Sequence, residues 1–350
     1  MGSAYSNGIS LACLLKRVEK ALFALAICGF AVAAVSPPSR ADTSPGINPD
    51  AEALLARHKW AQAAVILRSE MRRDPRSISV SADLAKALLY LHHREEAIGV
   101  LDRAIELNRG KSKAWLIEQL RLVSKIFLTN TGFQTYQDGV DLLAAQRERG
   151  AQDKFEQALS AEPDNVGVLT RMGQARLLDR DYDGAFKNLK QALHLNPYEP
   201  EIHLWLGRAM ELRGDKSEGL GELRQGAARL GQSELAPIWL AAALDSSGHA
   251  DAAMKVLDQD IKSNPIHVDA LVELAKLKIR DPDASQDILW SARRDFQNAL
   301  SRLVDYEQPG RRRFEGELGI EIFPSDKNLH DEIQSQLQKL ESRLEADSSR

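Results

Sequence analysis

The side chains best suited to metal binding or proton transfer near neutral pH are the eight histidines, His58, His92, His93, His194, His203, His249, His267 and His330. A zinc site needs three or four such ligands at fixed spacing, as in H-E-x-x-H, and these histidines are scattered without that relation. His92 and His93 are adjacent, but they fall in a turn between two helical stretches, where a solvated polar pair accounts for them. No Gly-x-Ser-x-Gly elbow, phosphate loop or dinucleotide fingerprint is present. No catalytic residue, metal site or cofactor is therefore assigned, and the expected role is not that of an enzyme.

Charge narrows the partners. The chain has 46 Lys and Arg against 50 Asp and Glu, a net of -4, without the basic stripe a nucleic-acid backbone requires. The sharpest cluster is Arg311, Arg312 and Arg313, a candidate anchor for an acidic polysaccharide or lipid headgroup, although Glu315 and Glu317 follow closely and offset it. Trp60, Trp205 and Trp239 lie among apolar neighbours at helical spacing and read as packing residues.

The first forty residues differ in kind from the rest. Lys16, Arg17 and Lys20 precede an apolar stretch from Ala21 to Val35, then Pro37, Pro38 and Ser39-Arg40-Ala41. That order reads as a secretory signal peptide over residues 1–41, and fifteen apolar residues fall short of the roughly 20 a spanning helix needs. Both cysteines, Cys13 and Cys28, lie in this leader and neither has a lipoprotein context, so the mature chain is expected to lack thiols, as suits an oxidising compartment. The expected location is the periplasm, with an uncleaved inner-membrane anchor as the alternative.

The elements behind these residues are set by a recurrence. A small residue followed four positions later by Leu or Phe returns at a 34-residue spacing: Ala63/Leu67 and Ala97/Leu101, then Ala151/Phe155, Ala185/Leu189, Gly219/Leu223 and Ala253/Leu257. A period of this length marks a stack of supersecondary units. In the clearest unit Leu169, Met172 and Gly173 make one helical face, Arg180-Asp181 a turn, and Ala185, Leu189 and Ala192 a second face. Proline stops the second helix at Asn196-Pro197, as at Asp74-Pro75, Glu162-Pro163 and Asn264-Pro265.

The period breaks twice. The segment Lys111 to Leu128, with Trp115, Leu116, Leu120 and Phe127, predicts an extra, unpaired helix, followed by a loop at Asn130-Thr131-Gly132 and a helix from Gln134 to Arg147. An odd helix in a neighbour-on-neighbour stack should turn the array or divide it in two. Asp281-Pro282-Asp283 lengthens a later turn, and the pattern stops after Leu303. Ile333, Leu337, Leu340 and Leu344 then return to helical spacing, which predicts a capping helix, with Ala346 to Arg350 as a disordered tail.

With these residues in view, the chain resembles the tetratricopeptide repeat family, whose pattern is W-x2-L-G-x2-Y, A-x3-F, then P. His203-x2-Leu206-Gly207-x2-Met210 and Leu169-x2-Met172-Gly173-x2-Arg176 carry the first half, and Ala151/Phe155/Ala158 and Ala292/Phe296/Ala299 the second. No unit has both the tryptophan and the tyrosine, and Asp260 stands where Ala104, Ala158 and Ala192 stand in other units. The resemblance covers about residues 50–303 and implies an all-α fold, a right-handed α-solenoid of helical hairpins with one inserted helix and a C-terminal capping helix. The expected segments are a signal peptide (1–41), a linker (42–48), an N-terminal repeat block (49–109), the inserted helix and loop (110–132), a C-terminal repeat block (133–303), an irregular connector (304–325) and the capping helix and tail (326–350).

The resemblance further implies that the first helix of each hairpin lines a concave, partner-binding face. In register, Lys86, Tyr90, Gln174, Leu204, Arg208, Glu211, Lys276 and Arg280 point into it, a mixture suited to an extended or helical peptide. The expected function is a non-catalytic scaffold for protein or peptide partners in an envelope assembly or secretion system, such as polysaccharide export or a pilus-like machine. The alternative is a module that binds an anionic polysaccharide or accompanies an enzyme.

Overall fold

A computed structural model describes residues 48–230, 233, 235–306 and 326–348. The expected leader and nearly all of the linker that follows it, together with Arg311, Arg312 and Arg313, lie outside the described residues. Among the described residues all regular structure is helical. The chain divides into two compact units, residues 1–128 and 129–350.

The first unit holds α1 (Pro49–Ala56), α2 (Trp60–Arg73), α3 (Ile78–Tyr90), α4 (Arg94–Leu107) and α5 (Gly110–Lys125). Helices α1 and α2 form one hairpin and α3 and α4 the next, with α2 packed on α3. Helix α5 packs on both α4 and α3, where the first helix of a further hairpin would lie, and buries Leu116 and Leu120 completely. It ends at Lys125, three residues short of the expected Leu128, because Ile126 turns to an extended conformation with ψ 139°.

The second unit holds five hairpins. These are α6 (Asn130–Ala144) with α7 (Glu148–Ala161), α8 (Val166–Leu178) with α9 (Tyr182–Leu195), α10 (Pro200–Arg213) with α11 (Lys216–Leu230), α12 (Leu235–Ser246) with α13 (Ala250–Ser263), and α14 (Val268–Arg280) with α15 (Gln286–Tyr306). Helix α16 (Asp326–Ser348) packs on α15. It seats Leu329, Ile333, Leu337, Leu340 and Leu344 in the core of the last hairpin.

Three sequence expectations are corrected here. Asn130-Thr131-Gly132 is the first turn of α6, since the Thr129 hydroxyl accepts the Gly132 N–H at 3.1 Å and starts the helix there. Thr129 is itself held by the buried Glu162, which accepts its N–H at 2.7 Å and its hydroxyl at 3.0 Å. The irregular connector expected from residue 304 does not start there, since α15 runs to Tyr306, one turn beyond its last core residue, Leu303; residues 307–325 lie outside the described residues. Residues 346–348, expected in a disordered tail, are helical, because α16 continues through Ser348 beyond its buried Leu344.

The turn inside six of the seven hairpins among the described residues is one repeated device; the turn from α14 to α15 lacks it, with Asp281 at φ -69°. His58, His92, Gln146, Arg180, Gly214 and Gly248 all have positive φ, and within each unit they stand 34 residues apart. The N–H of the following residue reaches back to the carbonyl of Leu54, Leu88, Leu142, Arg176, Met210 or Leu244 at 2.8–2.9 Å. This is the six-to-one bond of a Schellman motif, which needs a left-handed residue at its centre and ends the helix by satisfying carbonyls that otherwise lack partners. Four of the six turns place a residue with a Cβ where glycine is favoured. Replacing Arg180 by glycine is therefore expected to stabilise the protein by about 0.5 kcal/mol, read as a rise in the denaturation midpoint; a fall would show that its side chain contributes more than its backbone strain costs.

Packing follows the same phase. Ala63, Ala97, Ala151, Ala185, Ala253 and Ala292 are wholly buried, as are Leu67, Leu101, Phe155, Leu189, Leu223, Leu257 and Phe296 four residues on. The first helices approach these side chains through a small residue. A Cβ at Gly139 would lie 2.6 Å from the Phe155 ring, and one at Gly173 would lie 2.5 Å from Leu189. Hairpin α10/α11 is closer still, because its backbones touch where Gly207 faces Gly219.

Asp260, the departure from alanine in α13, has a structural reason. Its carboxylate pairs with Nδ1 of His267, the residue that precedes α14, and the imidazole is almost fully buried. Pairing ties the end of one hairpin to the start of the next. The opposite ring nitrogen, Nε2, is buried without a hydrogen-bond partner.

Candidate functional site

The eight residues expected on the partner-binding face divide between the units, Lys86 and Tyr90 in α3 and the other six in the second unit. All lie on first helices of hairpins, and three of them, Gln174, Arg208 and Arg280, reach a neighbouring first helix.

In the second unit these side chains form a lateral strip. Gln174 is completely buried; its carbonyl accepts from Arg171 at 2.8 Å and its amide donates to Glu201 of α10 at 3.1 Å. Arg208 pairs with Glu211 one turn along α10, and its guanidinium lies 5.7 Å from the Trp239 ring of α12. Trp205 and Trp239 meet edge to face at 4.8 Å, which locks α10 to α12. Arg280 of α14 grips Asp245 of α12 with two bonds of 2.7 and 2.6 Å, and these hold its pKa above the ordinary value. Lys276 binds Glu273 at 3.0 Å and Glu332 of α16 at 2.6 Å. Burial pulls its pKa down, but the two carboxylates outweigh that and hold the ammonium above its usual range. Leu204 is the exception: it is 2% exposed, with its backbone against Gly226, and belongs to the core.

The sequence placed these residues on one side of their helices but did not show their partners. Glu201 and Trp239 lie one hairpin further along than the side chains they engage and Asp245 one hairpin back, whereas Glu332 lies on α16, 56 residues from Lys276. A 34-residue period brings the first three of these pairs side by side, and that is the signal by which they could have been found; no such signal exists for Glu332.

The face of the first unit is built differently. Tyr90 stacks on Trp60 of α2, with ring centres 4.2 Å apart and planes 5° from parallel, and His58 lies 5.2 Å from the same indole. His58, Lys59, Trp60, Gln62 and Leu91 line a shallow, open recess beside this stack. Burial pushes the Tyr90 phenol above its ordinary pKa. Asp83, one turn before Lys86 on α3, is pushed up to about 6, mainly by burial, with Lys86 opposing and Glu52 of α1 adding to the rise.

A carboxylate shifted this way has a defined effect on stability. Folded protein keeps the Asp83 proton between the unfolded value near 3.8 and about 6, whereas the unfolded chain has lost it, so stability falls as pH rises through that window. The contribution is complete below the lower value and absent above the upper one. Asp83→Asn should therefore be more stable than the parent by about 2 kcal/mol at neutral pH and level with it near the lower value. Parallel denaturation curves at the two pH values check this; an equal gap at both would remove the titration as its cause.

Among the described residues no group of three or more His, Cys, Asp or Glu is arranged to hold a metal ion, and no helix is long and apolar enough to cross a membrane. Residues 176–236, from the end of α8 to the start of α12, match the family profile of the tetratricopeptide repeat. The chain carries tetratricopeptide repeats. Its fold is that of a scaffold for protein–protein interaction, and proteins of this repeat class are generally non-catalytic and bind protein or peptide partners.

Solved structures with a similar arrangement include MamA from Desulfovibrio magneticus RS-1, at 15% identity over 52% of this chain and all of that one, with a TM-score of 0.44. PilW, described as a widely conserved type IV pilus biogenesis factor, is 20% identical over 50% of this chain and 79% of its own, with a TM-score of 0.45. Yeast Tom70 is 13% identical over 97% of this chain and 76% of its own, again with a TM-score of 0.45. The sequence matches no curated protein.

Proposed function

We propose that this repeat protein is exported to the bacterial periplasm and works there as a non-catalytic scaffold, holding protein partners of an envelope assembly or secretion system of the polysaccharide-export or pilus-like kind. The observation that carries this reading is the strip of charged pairs across the first helices of the second unit and onto α16, from Arg171 and Glu201 to Lys276 and Glu332. Such pairs are exchangeable: a peptide with its own acids and bases can replace one member of each without leaving the other unpaired. An anionic polysaccharide matches this strip less well, because Arg171, Arg208, Lys276 and Arg280 each already face a carboxylate. The export half of the proposal rests on the basic, apolar and proline-broken order of residues 16–41.

In-cell crosslinking followed by capture should recover a defined envelope protein, and its crosslinks should map to α8, α10 and α14. Crosslinks confined to other surfaces would overturn the assignment of the strip. N-terminal sequencing of the purified protein tests export separately. A start near Asp42 is expected, and an intact Met1 would remove the soluble periplasmic location.

A further inference from the structure

With the cations of the second unit's strip already paired, unpaired positive charge collects on one edge of the first unit. Arg72 and Arg73 end α2, Arg76 lies in the loop to α3, and Arg103, Arg109 and Lys111 lie in and after α4. All six are exposed, and none has an ion pair or a side-chain hydrogen bond among the described residues. The two loops are joined: the Asn108 amide donates to the Arg76 carbonyl at 3.1 Å and to the Ala104 carbonyl at 2.9 Å. The acids nearby are Glu70, Asp74, Asp102 and Glu106. Of these, Asp74 accepts the Arg76 N–H at 3.1 Å, and Glu70 is partly buried.

The charge is segregated along the whole chain. Residues 48–128 contain 14 Lys and Arg against 10 Asp and Glu, and residues 129–350 contain 28 against 38. The field of the first unit is therefore positive and that of the remainder negative, a distribution that orients a molecule at a charged surface.

We infer that this edge of the first unit docks on an anionic lipid surface. Its cations stand on two joined loops and on the helix ends beside them, and none is paired with another side chain among the described residues. A row of long, mobile cations is matched by a flat, diffuse anionic layer. Leu107, 38% exposed between Arg103 and Arg109, adds an apolar side chain at headgroup level. In sequence the unit follows the apolar stretch Ala21 to Val35, which would reach a membrane first during export.

The test is co-sedimentation of the full chain with vesicles of phosphatidylcholine alone or with one-third phosphatidylglycerol. Binding is expected only to the mixed vesicles, and should be lost between about 0.05 M and about 0.5 M NaCl. A variant with Arg72, Arg73, Arg76, Arg109 and Lys111 all changed to Gln should bind at least about 100-fold more weakly. A control with Lys187, Arg224, Arg229, Lys255 and Lys339 changed to Gln should bind as the parent does, and circular dichroism would confirm that both variants fold. Equal losses in the two variants would overturn the inference, because net charge alone would then explain binding. Equal binding to both vesicle types would overturn it in favour of the apolar segment. Binding to poly-glutamate but not to vesicles would also overturn it and assign the edge to an acidic protein.

Discussion

Gly207→Ala and Gly219→Ala will each destabilise the protein by about 2 kcal/mol, although alanine is the better helix former. A Cβ on Gly207 would sit 2.7 Å from the Leu223 nitrogen and 2.8 Å from the Gly219 carbonyl oxygen. One on Gly219 would sit 2.9 Å from both the Glu211 nitrogen and the Gly207 oxygen. These are backbone atoms, so no rotamer change relieves the clash and the two helices must separate. Gly221 lies two residues further along α11 with nothing within 4 Å of its would-be Cβ. There the same substitution should stabilise by about 0.5–1 kcal/mol, the ordinary helical difference between glycine and alanine. Urea denaturation of the three variants checks the contrast; a Gly207→Ala midpoint equal to that of the parent would mean that α10 and α11 are not in backbone contact.

The second large effect is expected at the joint between α13 and α14. Asp260→Ala restores the residue found at this position in four other repeats, yet should cost about 3 kcal/mol, because it leaves the buried His267 ring with neither nitrogen bonded. The double variant Asp260→Ala/His267→Asn should return to within about 1 kcal/mol of the parent. Its asparagine can cap α14 as Asn165 caps α8, where the side chain accepts the Val168 N–H at 3.3 Å. Thermal denaturation of the single and double variants reads the coupling. Additive losses would show that His267 is buried for reasons other than its pairing with Asp260.

These two sites mark how far the sequence could be read. The register of hairpins was legible because burial is periodic: a small residue and the Leu or Phe four positions on must both face inward in every unit. For the same reason Asp260 stood out as a departure before its partner was known. Its partner did not, since His267 is only seven residues away across a proline turn and no periodic rule pairs those positions. The loop expected at Asn130 was misplaced because Thr129 caps α6 only while Glu162, 33 residues later, holds it.

The candidate face shows the same division. Helical phase alone placed Gln174, Arg208, Lys276 and Arg280 on the first helices, but not that each would be occupied by a side chain from the repeat itself or its neighbour. The unpaired cations of the first unit were also hidden in the sequence, since Arg72, Arg73 and Arg76 become one edge with Arg109 and Lys111 only when Asn108 joins their loops.

By itself the sequence determined the repeat, its period, the helical class and the scaffold character, because each depends on local propensity and on which side chains must avoid water. Only the tertiary structure decided which charges are spent on neighbouring repeats and which stay open to a partner. Ion pairs form between residues a whole repeat apart, and their presence depends on distances of a few ångströms that no linear pattern encodes.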